Sequence, residues 1–473
     1  MLQRQAKTIT NDGIRNGGVS FWYASTHMPG QREPLQGDTT ADVCIVGGGY
    51  TGLWTAYYLK REQPDLDVLV VEREFAGFGA SGRNGGWLSS SFNGSRAAMA
   101  RRSGERAVVA LSRAMQETVD EVLGVCAAEG IEADQLKHGM LTIARNPAQE
   151  ARLRAALPEE RRWLPEPEHD LVELEADALA ERVHIEGARY ATWTPHAARV
   201  QPAKLVQGLA ATVERLGVRI CEGTAATAIA PGVVRTERGD VRARFVLSCL
   251  EGFTAGLERQ KRTWLPLNSS MIATAPLSDA AWERIGWDGC ELIGDGAHAY
   301  MYAQRTADGR IALGGRGVPY RYGSRTDRDG ITQTATIRQL RGILEDMFGD
   351  PLRGVAIDHA WCGVLGVPRD WSPSVKLDPR TGVGMAGGYV GNGVATTNLA
   401  ARTLRDLVLG RSTPLTELPW VGKDARPWEP EPLRFIGSRL VYGLYRAADR
   451  REMRDGSSAS SRLARVASVI SGR

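Results

Sequence analysis

At 473 residues, with 42% hydrophobic and 24% charged side chains, the chain can bury a full core in two domains or one elaborate one. A formal net charge of only +4, spread along the chain, gives no case for a nucleic-acid partner. Six cysteines (Cys44, Cys126, Cys221, Cys249, Cys290, Cys362) without a CxxC pair exclude a zinc-ligand spacing, and a chain this long needs no disulfide framework.

The polar lead over residues 1–37 has no apolar signal core and no twin arginine, so secretion is not expected. No run of about 18 apolar residues suggests a membrane span, and a reducing, cytoplasmic setting is the default expectation. After a Pro/Gly-rich stretch (Pro29, Gly30, Pro34, Gly37), residues 41–46 (Ala-Asp-Val-Cys-Ile-Val) read as a short buried parallel strand. A glycine cluster follows, then a helix over 53–61 and a second strand over 67–71 ending at Glu72, which together make a βαβ unit. A long helix is expected over 104–130, a helix over 200–217 leading into a strand at 218–222, and an apolar strand at 241–248. Residues 271–274, 299–304 and 311–314 read as antiparallel strands, the last two joined by the turn Ala307-Asp-Gly309. A short strand at 383–386 runs through a second glycine-rich turn into a helix over 395–409 that stops at Gly410. Near the end, Leu433, Ile436, Leu440, Val441, Leu444 and Tyr445 recur at helical spacing, the pattern of a helix docking on its own protein. Membrane contact is the minor alternative for that stripe, and the Ser/Arg-rich end beyond it reads as a frayed tail.

Gly47-Gly-Gly49-Tyr-Thr-Gly52 fits the G-x-G-x-x-G dinucleotide fingerprint in the strand–turn–helix context that gives it meaning. Gly47 permits the tight turn, Gly49 lets backbone approach a pyrophosphate, and Gly52 lets helix and strand pack closely, with Tyr50 and Thr51 on the helix's first turn. Glu72, about twenty residues on, is placed to accept hydrogen bonds from ribose hydroxyls and disfavours a 2′-phosphate, with Arg73 beside it. FAD and NAD share this fingerprint. Two further segments favour FAD: Gly79-Ala80-Ser81-Gly-Arg83-Asn84-Gly85-Gly86, small and flexible after the second strand, and Gly387-Gly388-Tyr389-Val-Gly391-Asn392-Gly393-Val394, which brings a second helix N-terminus to a negatively charged group.

These segments, with Gln201-Pro-Ala-Lys-Leu-Val206 and Arg369-Asp-Trp-Ser-Pro373, resemble the D-amino-acid oxidase (DAO) family of FAD-dependent oxidoreductases, in its branch of gamma-glutamylputrescine oxidases and other bacterial amine oxidoreductases. The likeness covers about 42–418 and implies an α/β fold of the DAO, glutathione-reductase-like kind. It implies a discontinuous Rossmann-like FAD domain (36–96, 196–256 and 354–415), a sheet-based α+β substrate domain (97–195 and 257–353), and a C-terminal extension (416–473) whose helix packs on the body. By the same likeness the 220–226 strand, with Ala226, passes the adenine. Ser81 to Gly86 run under the pyrophosphate and ring. The lysines that sarcosine-oxidising relatives use for the substrate carboxylate and for oxygen fall at Ala395 and Ala312, which argues for an amine over a simple N-methyl amino acid and leaves the acceptor open. Cys362 lies near the cysteine that such relatives bond to flavin; packing as a small buried hydrophobe is the preferred reading, with non-covalent FAD, and a covalent link the alternative.

The function that follows is oxidation of an amine C–N bond (a polyamine derivative, secondary amine or amino-acid-like substrate) by hydride transfer to flavin N5, hydrolysis of the imine, and reoxidation by oxygen. An amine dehydrogenase with another acceptor is the first alternative; a flavin monooxygenase and a non-catalytic flavin-binding scaffold come after it. No dedicated acid or base is demanded. The substrate-face candidates are aromatic: Tyr300 and Tyr302 alternating on one strand, Tyr389 in the glycine turn, and Trp371 with Trp361 flanking Cys362 and Asp370. His359 is expected to be a satisfied structural histidine, and Gly294-Asp-Gly-Ala-His298 a hairpin loop despite its likeness to a flavin-hydroxylase turn.

Overall fold

The computed structural model describes residues 7–11, 13–26, 30–315 and 320–472; Pro29 and the first six residues of the polar lead lie outside them. Two sheets organise the chain. In the first, the parallel run Arg219–Cys221, Val68–Val71, Thr39–Val46, Gly239–Ser248 is joined by Val383–Gly387, and antiparallel strands Val233–Thr236 and Ala226–Ala230 extend one edge. The alternation of a strand explains its two covers: Val43 and Ile45 pack on helices, whereas Cys44 and Val46 face a second cluster with Val234 and Val241. The helices are Tyr50–Glu62, Pro202–Arg215 and Gly393–Val408, each longer at its N-terminus or shorter at its C-terminus than periodicity indicates. Each fully buried valine or isoleucine in these layers contributes about 1.5–3 kcal/mol relative to exposure.

The second sheet has ten strands, with Leu265–Thr274, Met301–Arg305 and Ile311–Gly315 antiparallel as expected. Three features differ from the sequence reading. The polar lead contributes a hairpin, Thr8–Asn11 and Ile14–Gly17, that pairs with this sheet, followed by a buried turn of helix, Phe21–Ala24. Ile357–Val367 also belongs to the ten-stranded sheet rather than to the parallel one, so the segment expected from 354 joins the parallel sheet only at Ser374–Asp378. The end of the chain is a helical hairpin, Leu433–Asp455 and Arg462–Ser471, not a frayed tail. Ala464 and Ala467 bury against Val441, Tyr445 and Ala448, and the Ser471 carbonyl accepts from Arg369 and Trp371. The apolar stripe docks only in part: Val441 and Tyr445 are buried, but Leu433 and Ile436 remain 60% and 57% exposed.

His359 is also not the satisfied histidine expected. Among the described residues neither ring nitrogen has a hydrogen-bond partner; the ring packs edge-on to Phe21 at 5.4 Å, and burial lowers its pKa to about 4. No described helix is long and apolar enough to cross a membrane. None of the six cysteines is in a disulfide.

The two sheets meet on residues 79–86. At Gly86 (φ +70°) a Cβ would lie 2.0 Å from Gln304 Nε2 and 2.3 Å from the Val200 carbonyl. Gly86→Ala is therefore expected to cost about 2–4 kcal/mol in chemical denaturation, since it adds overpacking to left-handed strain. Gly104→Ala (φ +86°), whose Cβ meets nothing within 4 Å, should lose only the strain, about 1 kcal/mol.

Candidate active site

A long cleft opens where the parallel strands end, at the place open α/β sheets bind ligands. Its walls include Gly47, Gly49, Tyr50 and Thr51 from the first glycine turn and helix, and Glu72 and Arg73 from the second strand's end. Gly79, Ala80, Ser81 and Asn84 come from the small-residue loop, Ala226 from the edge strand, and Tyr389, Gly391, Gly393 and Val394 from the second glycine turn. A smaller cavity adjoins it and shares Ala80, Asn84, Leu365, Gly391 and Val394. Its other walls include Gly85, Asn392, Trp87, Ser269, Tyr300 and Tyr302.

The first glycine turn works by close approach. A Cβ at Gly52 would sit 2.1 Å from the Gly47 carbonyl, so only glycine lets this helix start so near the strand. Gly52 thus shapes the cleft without lining it. First-turn amides have no intrahelical acceptor; Tyr50 N–H is capped by Ser81 Oγ at 2.9 Å. Glu72 Oε2 accepts from Gly48 N–H at 2.9 Å and Oε1 from Glu74 N–H at 3.0 Å. A carboxylate has about four lone-pair sites, so two stay open for diol hydroxyls. Burial raises the pKa of Glu72, with the two amide bonds opposing. Arg73, held over the Phe253 ring at 5.2 Å, pairs through Nε with Glu74 Oε1 at 3.3 Å, and burial followed by Arg328 depresses its pKa.

Sequence reasoning missed Glu251, which follows the strand Gly239–Ser248 and lines the cleft. Its carboxyl accepts from Gly388 N–H at 2.7 Å, Tyr389 N–H at 3.2 Å and Gly366 N–H at 3.3 Å. Burial pushes its pKa up to about 7 against those three amides. The available signal was an acid just past the C-terminal end of a buried parallel strand, the same position that singles out Glu72.

Several predicted site residues stand elsewhere. Gly388 lines neither cavity; its amide is spent on Glu251. Gly86 packs on Gln304 and Val200, away from both cavities. Arg83 does line the smaller cavity, but it is buried and its guanidinium is committed to the carbonyls of Phe78, Asp327, Cys362 and Arg328, so it braces the loop. Tyr389 is turned to the cleft, its hydroxyl 3.1 Å from Thr51 Oγ1, and does not line the smaller cavity. Trp371 lies in a separate cluster with Val390 and Trp428, its indole N–H donating to the Ser471 carbonyl. Trp361 is core, bonded to the Arg83 carbonyl. Cys362 lines neither cavity; its thiol, pushed up to about 12 by burial, donates to the Ile331 carbonyl at 3.6 Å. Ala395 and Ala312 are buried. Gly294 to His298 enter the hairpin between Leu292–Asp295 and Met301–Arg305, as expected.

Tyr302 is the best fixed of the aromatic candidates. Its ring lies where a Cβ on Gly85 or Gly314 would clash, at 2.8 and 2.4 Å, and its hydroxyl is 2.9 Å from Ser269 Oγ. Burial holds its pKa well above the ordinary tyrosine value. Trp87 packs edge-on at 6.0 Å, and Tyr300, 46% exposed, forms the outer wall. The donor set fits FAD: two helix N-termini and Arg73 for phosphates, Glu72 for a diol, and small residues at Gly79, Ala80, Gly391 and Gly393 that leave room for a flat ring.

The profile of the DAO family, FAD dependent oxidoreductase, matches residues 42–407. Gamma-glutamylputrescine oxidoreductase of Escherichia coli (strain K12) is 31% identical over 399 residues, covering 83% of this chain and 89% of that protein. Among solved structures, L-proline dehydrogenase from P. horikoshii superposes with a TM-score of 0.65 at 16% identity, covering 83% of this chain and 98% of that one. L-amino acid deaminase from Proteus myxofaciens does so with a TM-score of 0.67 at 14% identity, covering 89% and 99%.

Two outcomes test the clamp at Glu251. Glu251→Ala strands three amides and should weaken FAD binding by about tenfold or more in a calorimetric titration, an orphaned buried donor costing about 1–3 kcal/mol. In the cofactor-free protein, folded Glu251 keeps its proton up to about 7 whereas an ordinary glutamate releases it near 4.5. The folded state binds more protons across that window, so this group's stabilisation is full below it and lost as pH rises through it. Urea denaturation across this window should lose more stability with rising pH in the wild type than in Glu251→Gln, the difference being this group's share.

Proposed function

The chain belongs to the DAO family of FAD-dependent oxidoreductases, and from that premise we propose that it oxidises the C–N bond of an amine, a polyamine derivative being the favoured class. The observation that carries this reading is the smaller cavity: it is walled by Tyr300, Tyr302 and Trp87, and Arg83, the single cation among its described lining residues, spends four of its five N–H groups on carbonyls. A substrate carboxylate beside the reacting carbon would find no partner there, whereas aromatic faces favour an ammonium group and its alkyl chain. The relative named for gamma-glutamylputrescine supports the same class.

In this reading the cofactor is held, without a covalent link, by residues 36–96, 196–256 and the segment from 374 to about 415, and the ten-stranded sheet supplies the substrate wall. Bound FAD supplies the hydride acceptor that converts the amine to an imine, which water hydrolyses, and oxygen restores the cofactor. The chain's own groups bind and orient. Tyr302, locked by Gly85, Gly314 and Ser269, fixes one face of the substrate. It stays a neutral phenol, because burial holds its proton. Asn84 shapes the floor, its Oδ1 accepting from Gly86 N–H at 2.8 Å and its Nδ2 donating to the Ser81 carbonyl at 2.8 Å. Ser269, Asn84, Asn392 and the two tyrosines include no general base at neutral pH, so the ammonium loses its proton to solvent past Tyr300.

The kcat/KM for an oxidised amine should therefore rise with pH along the amine's own ionisation, and Tyr302→Phe should keep that profile while lowering kcat/KM by about tenfold or more. Anaerobic bleaching of the flavin by a panel of polyamines, glutamylated polyamines and N-methyl amino acids is the direct test. Bleaching by none of the amines overturns the proposal. Slow return of colour on admitting oxygen replaces the oxidase with a dehydrogenase.

A further inference from the structure

The helical hairpin Leu433–Asp455 and Arg462–Ser471 lies beyond the family match, which ends at 407. It grips one short loop, residues 296–300, which joins Leu292–Asp295 to Met301–Arg305 and ends on Tyr300, the exposed wall of the smaller cavity. Buried Asp449 accepts from His298 N–H at 2.8 Å and from Ala299 N–H at 3.0 Å, one oxygen each. The His298 ring bonds Glu452 Oε1 through Nε2 at 2.9 Å and stacks on Tyr445 at 5.9 Å, 9° from parallel. Glu452 also accepts from Ser461 N–H at 2.8 Å and pairs with Arg152 at 3.2 Å. Arg152 in turn donates to the Gly296 carbonyl at 2.7 Å. Ala299 completes the contact inside the hairpin's apolar cluster.

His298, Asp449 and Glu452 come close enough to suggest a metal site. Their oxygens and ring nitrogen already serve backbone amides, Arg152 and one another, and a guanidinium in the set repels a cation. The cluster is a clamp on backbone. It holds a loop from which Tyr300 alone lines the cleft or the smaller cavity.

We infer that this C-terminal hairpin is a specificity-determining part of the substrate site: through Asp449 and Glu452, which touch neither cavity, it sets where Tyr300 stands and hence how tightly the amine is held. The inference rests on the smaller cavity being the substrate site. Asp449 and Glu452 are positioning residues. Freeing the loop loosens substrate binding and leaves the cleft, built from other elements, intact. None of Arg152, His298, Asp449 and Glu452 lines the cleft, so FAD affinity stays where it is.

The test compares wild type, Asp449→Asn, Asp449→Ala and each of them in a Tyr300→Ala background, on FAD-loaded protein. Asp449→Asn keeps the volume and one acceptor, so it remains informative should Asp449→Ala fail to fold. Hydrogen exchange of the 296–300 peptide should quicken by about tenfold, and a fluorotyrosine placed at 300 should shift its fluorine NMR signal. KM for glutamylated putrescine should rise by about tenfold with kcat and FAD affinity within about twofold of wild type, and should rise no further in the Tyr300→Ala background. Unchanged loop exchange overturns the inference, and so does a KM increase of the same size without Tyr300. If wild type binds FAD yet oxidises no amine, the proposed function falls, while the hold on Tyr300 is still decided by exchange and fluorine NMR.

Discussion

The structure turns on one buried cation. Arg83 is almost fully buried, and its guanidinium bonds four carbonyls and no carboxylate. An arginine so placed is costly unless every donor is satisfied, and satisfying them draws in Phe78 from its own loop, Asp327 and Arg328 from a connecting segment, and Cys362 from the ten-stranded sheet. The carbonyls of the same loop are taken by side chains from outside: Gly82 by Ser20, Arg83 by Trp361, Asn84 by Trp22 and Gly85 by Gln304. The loop therefore cannot move without breaking bonds to three other parts of the chain. It is rigid because it is made of glycines whose backbone is everywhere in use.

That rigidity is what gives the two cavities their division of labour. Ala80 and Asn84 belong to both, so the loop is at once the floor of the cofactor cleft and the near wall of the substrate cavity. Charge is sorted accordingly. Arg73 and the two carboxyls Glu72 and Glu251 lie on the cleft side, while the small cavity is aromatic, with Arg83, bonded to carbonyls, as the one charged group among its described lining residues. Glu72 and Glu251 play the same part just past the ends of the two strands that flank Thr39–Val46, each accepting amides from a glycine turn. One shapes the turn before Tyr50–Glu62, the other the turn before Gly393–Val408.

The local patterns were legible in the sequence. The βαβ unit, both glycine turns and the strands carrying Tyr302 could be read from apolar alternation, because a strand end followed by glycines and a helix has few other solutions. Long-range direction was not. Tyr389 and Trp371 were assigned to the substrate face on residue type and proximity, yet Val390 and Trp371 sit at positive φ, which turns Tyr389 toward Thr51 and Trp371 toward Ser471. The second helix of the C-terminal hairpin, Arg462–Ser471, escaped because the face it buries is made of small residues, Ala464, Ala467 and Ser471, while Val466 and Val469 stay exposed. The N-terminal hairpin escaped because four-residue polar strands are made by pairing rather than by propensity.

The account's central claim is that the long cleft takes the whole of FAD, adenosine end included, through Glu72, Arg73 and the two glycine-introduced helices. Calorimetric titration of the cofactor-free protein with FAD and with FMN addresses it directly. One equivalent of FAD should bind at least about a hundredfold more tightly than FMN, the difference lying in the pyrophosphate and ribose contacts. Equal affinity for FMN, or no uptake of FAD by the folded protein, would contradict the account.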